Sequence, residues 1–332
     1  MRTVKIKSPA NIAFIKYWGQ RDSQFVLPYN DSFSMNLSDC YVLLEIESLE
    51  NIGIKKLYIK NYQKENFEIA EKESIKKVIN FYQQAKNFLK IKKEIGFIIK
   101  SQNSFPKKAG IASSAAFFSG LALGLTKLFN IDLDKKKLSI LARLSGSGSA
   151  CRSIPDGFSW WRKGKDSFSS FATSIAKPSY WQLVDLVLIL SKKEKKTSSQ
   201  EGHLKALTSP LFLPRIKHIN DRIRRIKKAF FKKDFTSFGE ILEEEAISMH
   251  SVMMTQKPPL YYWSKKTVEV IKEIVKLRQK GLESYFTIDA GENVHLICQK
   301  KDCDKFFNYF KNFPGIFDII INSVCQGTRL LK

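Results

Sequence analysis

The amino-acid sequence predicts an α+β fold in two domains. Its 332 residues are enough for about two units of ~150 residues. Alternating or β-branched runs dominate the first hundred residues and return near the C-terminus, while helical spacing follows the strands within each half. A Pro178-Ser179 turn ahead of a new apolar run sets the boundary near residue 180, giving domains 1–180 and 181–332. Apolar residues are 43% of the chain and Phe, Ile and Leu occur throughout, which excludes a largely disordered protein.

The elements follow from local pattern. Arg2–Lys7, Tyr41–Ile46, Lys55–Lys60 and Ile95–Lys100 read as strands. Ile75, Val78, Ile79, Tyr82 and Phe88 have helical spacing within Ser74–Leu89. Ala112–Phe129 reads as a helix capped by Ser113 or Ser114, and Leu138–Leu144 as a shorter one stopped by Ser145-Gly146. Gly157–Trp161 and Val184–Leu190 read as strands, and Lys192–Gly202 as a charged, serine-rich loop. Amphipathic helices are expected over Leu213–Lys233, Phe235–Val252 and Ser264–Lys280. Strands Ser284–Ile288 and Val294–Cys298, a helix over Asp302–Asn312 and a strand over Phe317–Ile321 close the chain.

Lys and Arg number 56 against 32 Asp and Glu, a formal charge of +24. Such a field concentrates anions and suits an anionic substrate or a polyanionic partner; a lysine-rich compositional bias explains it as well. The runs Lys192-Lys193, Lys195-Lys196, Arg222–Lys228 and Lys232-Lys233 read as solvated faces. Nothing resembles a base-reading or aromatic-interleaved module, so no nucleic-acid partner is expected. The five cysteines are odd in number and form no CxxC, which argues against a disulfide framework or zinc site and for reduced thiols in the cytoplasm. The charged opening Met1–Lys7 does not read as a leader. Serines and glycines interrupt the longest uncharged run, Ala109–Thr126, so no membrane span is expected.

Five polar segments stand out. In Ser8–Asp22, Lys16 lies inside an apolar run; it either reaches solvent at a strand end or is buried against a carboxylate. In Phe105–Phe117, small residues lead into a helix N-terminus, which suits either a plain capping loop or a phosphate held on exposed N–H groups. Ser145–Ile154 alternates serine with glycine and carries Arg152, as a linker or as a cradle for an oxygen-rich anion. Lys196–His203 is a polar loop, and Asp289 sits in a small-residue turn as turn-former or base.

Four of these segments carry a resemblance. Asn11-Ile-Ala-x-Ile-Lys-Tyr-Trp-Gly19, Asn103-Ser-Phe-Pro-x-x-Ala-Gly-Ile-Ala-Ser-Ser-Ala115, Gly146-Ser-Gly-Ser-Ala-Cys-Arg-Ser153 and Thr287-Ile-Asp-Ala-Gly-x-Asn293 resemble the mevalonate diphosphate decarboxylase family. That family belongs to the galactokinase, homoserine kinase, mevalonate kinase and phosphomevalonate kinase superfamily. The resemblance spans residues 8–298 in the family's motif order. It implies the superfamily's two-domain small-molecule-kinase fold with the active site in a cleft between the domains. It also implies ATP and Mg²⁺, a phosphorylated mevalonate as substrate, and a homodimer. The first domain would carry the nucleotide phosphate loop and the second the catalytic aspartate.

By this resemblance Asp289 orients or deprotonates the substrate 3-hydroxyl, Lys16 holds Asp289 ionised, and Arg152 grips the substrate carboxylate. Asn11, Tyr17, Arg21, Ser147, Gly148, Ser149 and Gln200 match substrate-facing positions. Lys107, Ala109, Gly110, Ala112, Ser113 and Ser114 match the ATP phosphate loop, with Ser114 beside Mg²⁺. Gln20 and Gln200 stand where the family usually carries basic residues. A monophosphate substrate is therefore an alternative to the diphosphate, as is a kinase that stops at phosphorylation. A basic nucleic-acid-binding protein is the alternative from another class.

Overall fold

The structure, a computed structural model, describes residues 2–106, 110–191 and 199–331. Its first half begins with β1 (Thr3–Ile15), the ribbon β2 (Gln20–Asp22) and β3 (Leu27–Pro28), β4 (Ser32–Leu49), β5 (Lys55–Lys60) and β6 (Glu68–Ile69). α1 (Lys72–Leu89), β7 (Gly96–Asn103), α2 (Ser113–Leu128) and α3 (Lys135–Arg143) follow. A 3-10 turn over Gly148–Ser153 then leads into β8 (Phe158–Trp161) and β9 (Ala172–Ala176).

β1 and β4 run far beyond the segments that alternation marks. Their extensions, Ser8–Ile15 and Ser32–Leu37, are buried at every position, so they show no period of two. The two strands pair antiparallel from Thr3 with Glu47 to Ile15 with Phe33. Their register shifts between Pro9 and Asn11 and again between Ala13 and Ile15. The first irregularity sits beside Pro9, which has no N–H to give a regular ladder, and such bulges re-aim the side chains that follow.

The second half contains β10 (Leu183–Ile189), α4 (Ser199–Lys205), α5 (Phe212–Lys232), α6 (Phe235–Thr255) and α7 (Lys265–Gln279). It continues with β11 (Tyr285–Thr287), β12 (Val294–Gln299), α8 (Cys303–Phe310), β13 (Asp318–Ser323) and β14 (Arg329–Leu330). Four strands form a sheet in the order β11-β12-β10-β13. One of its faces packs Val184, Leu186, Phe286 and Leu296 against Val270 and Ile274 of α7 and Phe306 of α8. The other, with Val187, Tyr285 and Ile297, joins the core of the first half.

The two halves share that core. Phe33 of β4 meets Phe230 of α5 edge-on at 5.0 Å, and Phe14 of β1 meets Phe238 of α6 at 5.0 Å. The chain end also crosses back, so the halves do not part cleanly at residue 180. β14 pairs with β1, Ile6 opposite Leu330, as the edge of the eight-stranded first sheet in the order β14-β1-β4-β7-β5-β6. β8 joins that sheet on β4, and β9 joins it on β8. Among the described residues, no helix is long and apolar enough to cross a membrane.

Helix α4 lies where the sequence suggests a loop extending to Gly202. Tertiary packing accounts for it: Gly202 lies against the Trp18 indole, where an added Cβ would come within 2.4 Å, and the His203 ring stacks on Tyr17 at 4.1 Å. Seven residues would not hold a helix without such contacts.

Candidate active site

A cleft between the halves gathers side chains from distant stretches of chain. Lys16, Tyr17 and Trp18 follow or end β1, and Gly110 and Ala112 precede α2. Ser149 and Arg152 come from the 3-10 turn, His203 from α4, and Asp289 from the turn between β11 and β12.

Lys16 is buried, with 1% of its side chain exposed, and its Nζ donates to Asp289 Oδ1 at 2.6 Å. Asp289 keeps 18% of its side chain open to the cleft. Burial pushes the Asp289 carboxyl up, but Lys16, His295 and Arg152 together hold it below the usual carboxylate range. Burial pulls Lys16 below the ordinary lysine value, and Asp289 opposes that pull. The Lys16 N–H donates to Glu245 Oε1 at 3.0 Å, and Asn30 Nδ2 donates to the Lys16 carbonyl at 3.0 Å, so the backbone of the lysine is fixed from both sides.

Arg152 is also buried. Its Nε donates to Asn11 Oδ1 at 2.9 Å and its Nη1 to Ser32 Oγ. Asn11 in turn donates from Nδ2 to Ser153 Oγ at 2.8 Å. Asn11 therefore stands behind Arg152 and positions it; it does not line the cleft. Tyr17 does line it, meeting Trp161 edge-on at 4.8 Å, and its hydroxyl accepts from Gln20 Nε2 at 2.6 Å.

Ser147, Gly148 and Ser149 border an adjoining cavity that also reaches Ser114. Gly148 lies so close to Trp161 and Tyr17 that an added Cβ would come within 2.8 Å of the indole. Ahead of α2, Gly110 has φ +81° and backs onto Gly291 of the Asp289 turn, where a Cβ would come within 2.8 Å. That close approach brings the small-residue loop against the Asp289 turn. The N-cap of α2 is Ala112, in left-handed conformation and with no side-chain cap. Ser113 and Ser114 are therefore first-turn residues and not caps, and this helix start suits an anion. Lys107 and Ala109 lie outside the described residues. Gln200 lies in α4, but its side chain is outside them as well.

The same helix start opens on a second cavity of mixed character. Leu57, Ile59, Val78, Phe117 and Phe118 line it, with Ser101, Asn103, Ser113 and Ser114. Among the described residues, no group of three His, Cys, Asp or Glu side chains could hold a metal ion. A magnesium ion would thus depend on phosphate oxygens, with Ser114 and water completing its shell.

Two expectations are corrected. Arg21 is not brought to the cleft: its guanidinium donates to the carbonyls of Pro28, Lys163, Gly164 and Lys165, at 2.6–3.0 Å. It pins the loop after β8 to β3, a task its five fixed donors suit. Arg222 does not lie on a solvated face. It is buried against Glu244 and Glu245, because α5 turns this side toward α6. Sequence reading also missed Glu245, which looks like one member of an acidic helical run, and His203, whose Nδ1 accepts from the Gly19 N–H at 3.0 Å. The role of Ser32 beside Arg152 needed the β1–β4 register.

A buried lysine–carboxylate pair, a facing arginine and a phosphate-loop helix in one cleft define an ATP-dependent enzyme acting on a small anionic substrate. Residues 8–172 match the diphosphomevalonate decarboxylase-like N-terminal domain, and residues 185–328 the mevalonate 5-diphosphate decarboxylase C-terminal domain. The diphosphomevalonate decarboxylase of Candida albicans is 32% identical over 95% of this chain and 90% of its own length. The mevalonate diphosphate decarboxylase structure from Staphylococcus aureus superposes with a TM-score of 0.90 at 28% identity, covering 100% of this chain and 98% of that one. A structure described as MDDEF with MVAPP, AMPPCP and magnesium gives a TM-score of 0.90 at 29% identity, covering 99% of each chain. The chain belongs to the diphosphomevalonate decarboxylase family.

Proposed function

We propose that this protein converts mevalonate 5-diphosphate and ATP to isopentenyl diphosphate, CO₂, ADP and phosphate. The observation that carries the reading is the Lys16–Asp289 pair, set at 2.6 Å in the same cleft as Arg152 and against the loop ahead of α2. Asp289 accepts the proton of the tertiary 3-hydroxyl as that oxygen attacks the γ-phosphoryl group. Lys16 keeps the carboxylate ionised and oriented. Arg152 holds the substrate carboxylate, its own fork fixed by Asn11 and Ser32. Asp289 gives its proton to the departing 3-phosphate; the restored carboxylate stabilises the positive charge that develops at that carbon, and loss of CO₂ discharges it. Magnesium, when bound, neutralises charge on the transferring phosphates. The mixed cavity beside Ser113 and Ser114 takes the nucleotide base, with Phe117 and Phe118 along its wall.

Ser147, Ser149 and Tyr17 face the 5-phosphates. One observation favours a monophosphate as the second reading: the Arg21 guanidinium is engaged on backbone carbonyls, and Gln20, which is uncharged, donates to Tyr17, so neither supplies a cation. The comparison of kcat/KM for the two substrates, at one Mg²⁺ and salt concentration, decides between them. We expect the diphosphate to be preferred; a tenfold preference for the monophosphate would overturn the substrate and leave the chemistry in place.

We place the domain boundary near residue 180, between the two family matches. The protein is also read as a cytoplasmic homodimer. Five free cysteines, four of them buried, support a reducing compartment. Exposed Leu204, Leu207, Leu211 and Leu213 support a self-association face. Sedimentation velocity at micromolar protein is expected to show a dimer, and a concentration-independent monomer would remove that part of the reading.

A further inference from the structure

Among the described residues, Tyr17, Ser149 and His203 line both the cleft that holds Lys16, Arg152 and Asp289 and the adjoining cavity bordered by Ser147 and Ser114. They mark the junction of the two spaces. Tyr17 follows β1, Ser149 belongs to the 3-10 turn and His203 to α4, so three distant stretches of chain build it. Ser149 is held through its carbonyl, which accepts from Asn11 Nδ2 at 3.2 Å. The Tyr17 hydroxyl accepts from Gln20 Nε2 at 2.6 Å, which leaves its own proton to donate. The His203 ring is 8% exposed. It stacks on Tyr17 at 4.1 Å, with 27° between the planes, and lies 4.6 Å from the Trp18 ring. Its Nδ1 meets the Gly19 N–H at 3.0 Å. A backbone N–H only donates, so Nδ1 is the acceptor and the ring proton sits on Nε2.

We propose that His203 donates from Nε2 to the phosphate carried on C5 of the substrate, and so completes with Tyr17 and Ser149 a set of neutral donors at the junction. The inference rests on the reading of the cleft as the place where the 3-hydroxyl reacts, and it deepens that reading. With the 3-hydroxyl at Asp289 and the carboxylate at Arg152, the C4–C5 arm of the substrate points out of the cleft. The junction is the passage from there to the adjoining cavity. A phosphate has several acceptor oxygens, and hydrogen bonds to an ionised acceptor are the strong ones. Neutral donors matter here because cations are engaged elsewhere. Lys16 is paired with Asp289, and the Arg21 guanidinium is held by four backbone carbonyls. Lys77 of α1 lines the adjoining cavity and not the cleft, so its charge acts beyond the junction. Two hydroxyls and one imidazole N–H, each on a fixed side chain, are what the junction offers an anion.

The two ring nitrogens let the phosphate contact be separated from the tie to Gly19. His203→Asn sets an amide oxygen near the Nδ1 position, so it keeps an acceptor for the Gly19 N–H and loses the outer donor. His203→Gln sets an amide N–H near the Nε2 position and loses that acceptor. Steady-state kinetics use mevalonate 5-phosphate or 5-diphosphate, whichever the unaltered chain turns over faster. His203→Asn should raise the KM for that substrate by about 10–10²-fold, with kcat and the KM for ATP near those of the unaltered chain. His203→Gln should hold the substrate KM close to the unaltered value and show its loss in thermal stability instead. The reverse order, or equal effects of the two on KM, overturns the inference and leaves His203 as a structural tie. If His203→Asn does not fold, His203→Phe keeps a ring with neither nitrogen and is compared with His203→Gln. A KM about tenfold higher in Phe than in Gln supports the contact, and equal values overturn it. An unaltered chain that releases no CO₂ from either substrate with ATP overturns the reading of the cleft itself, and the inference falls with it.

Discussion

Asp289→Asn should lower kcat by about 10²–10⁴-fold while leaving the KM for ATP close to that of the unaltered chain. Asparagine keeps the size of the side chain and the turn in which the Gly291 N–H donates to the Asp289 carbonyl at 2.8 Å. It removes the proton acceptor and the counter-charge of a lysine that is 1% exposed. Lys16→Met should give a loss of the same order, and the double variant should be little worse than either, because the pair acts as one unit. The depressed carboxyl also has a consequence for pH. Because the folded value lies below the unfolded value of about 3.9, the contribution of Asp289 to stability is fully present above that pH. It is lost as pH falls through the folded value. Steady-state kinetics with a CO₂ readout beside an ADP readout measures the effect, and a kcat within tenfold of the unaltered value would remove Asp289 from the mechanism.

Much of the site was legible because its chemistry is local. Small residues before α2, serine alternating with glycine before Arg152, and a lone carboxylate between apolar strands each say what the backbone can approach. Lys16 was legible as an anomaly, a charge inside an apolar run. The interactions that fix these groups were not, because they are long-range. Asn11 positions Arg152 only because β1 passes the 3-10 turn, 141 residues apart in sequence. Arg21 looked free for substrate because its four carbonyl acceptors lie near Pro28 and in the loop after β8. The long strands were half visible for a related reason: alternation marks a half-buried strand, and β1 and β4 lose it where both faces are covered. Asp185 and His295 were unreadable as a pair, since only the β10–β12 register brings them together.

The largest expected effect on stability falls on Glu245, a residue with no sequence signature of function. Its carboxylate is fully buried, binds Arg215 through Oε1 and accepts from Arg222 Nη1 through Oε2 at 2.7 Å. The same Oε1 accepts the Lys16 N–H. Arg222 has a second carboxylate in Glu244, whereas Glu245 is the carboxylate that pairs with Arg215, whose side chain is 2% exposed. Glu245→Ala therefore strands a buried guanidinium and should cost about 3–5 kcal/mol, read as a fall in the denaturant midpoint. Pairing Glu245→Leu with Arg215→Met replaces both charges by apolar groups of similar size and should recover most of that loss. Activity should not recover with it. The Lys16 backbone still lacks its acceptor, and a displacement of about 1 Å in a catalytic group can cost ~10²-fold in rate. A double variant that regains stability but not kcat would establish Glu245 as the link between the α5–α6 packing and Lys16. Recovery of both would reduce it to a structural ion pair, and loss of neither in Glu245→Ala would mean that Arg215 finds another partner.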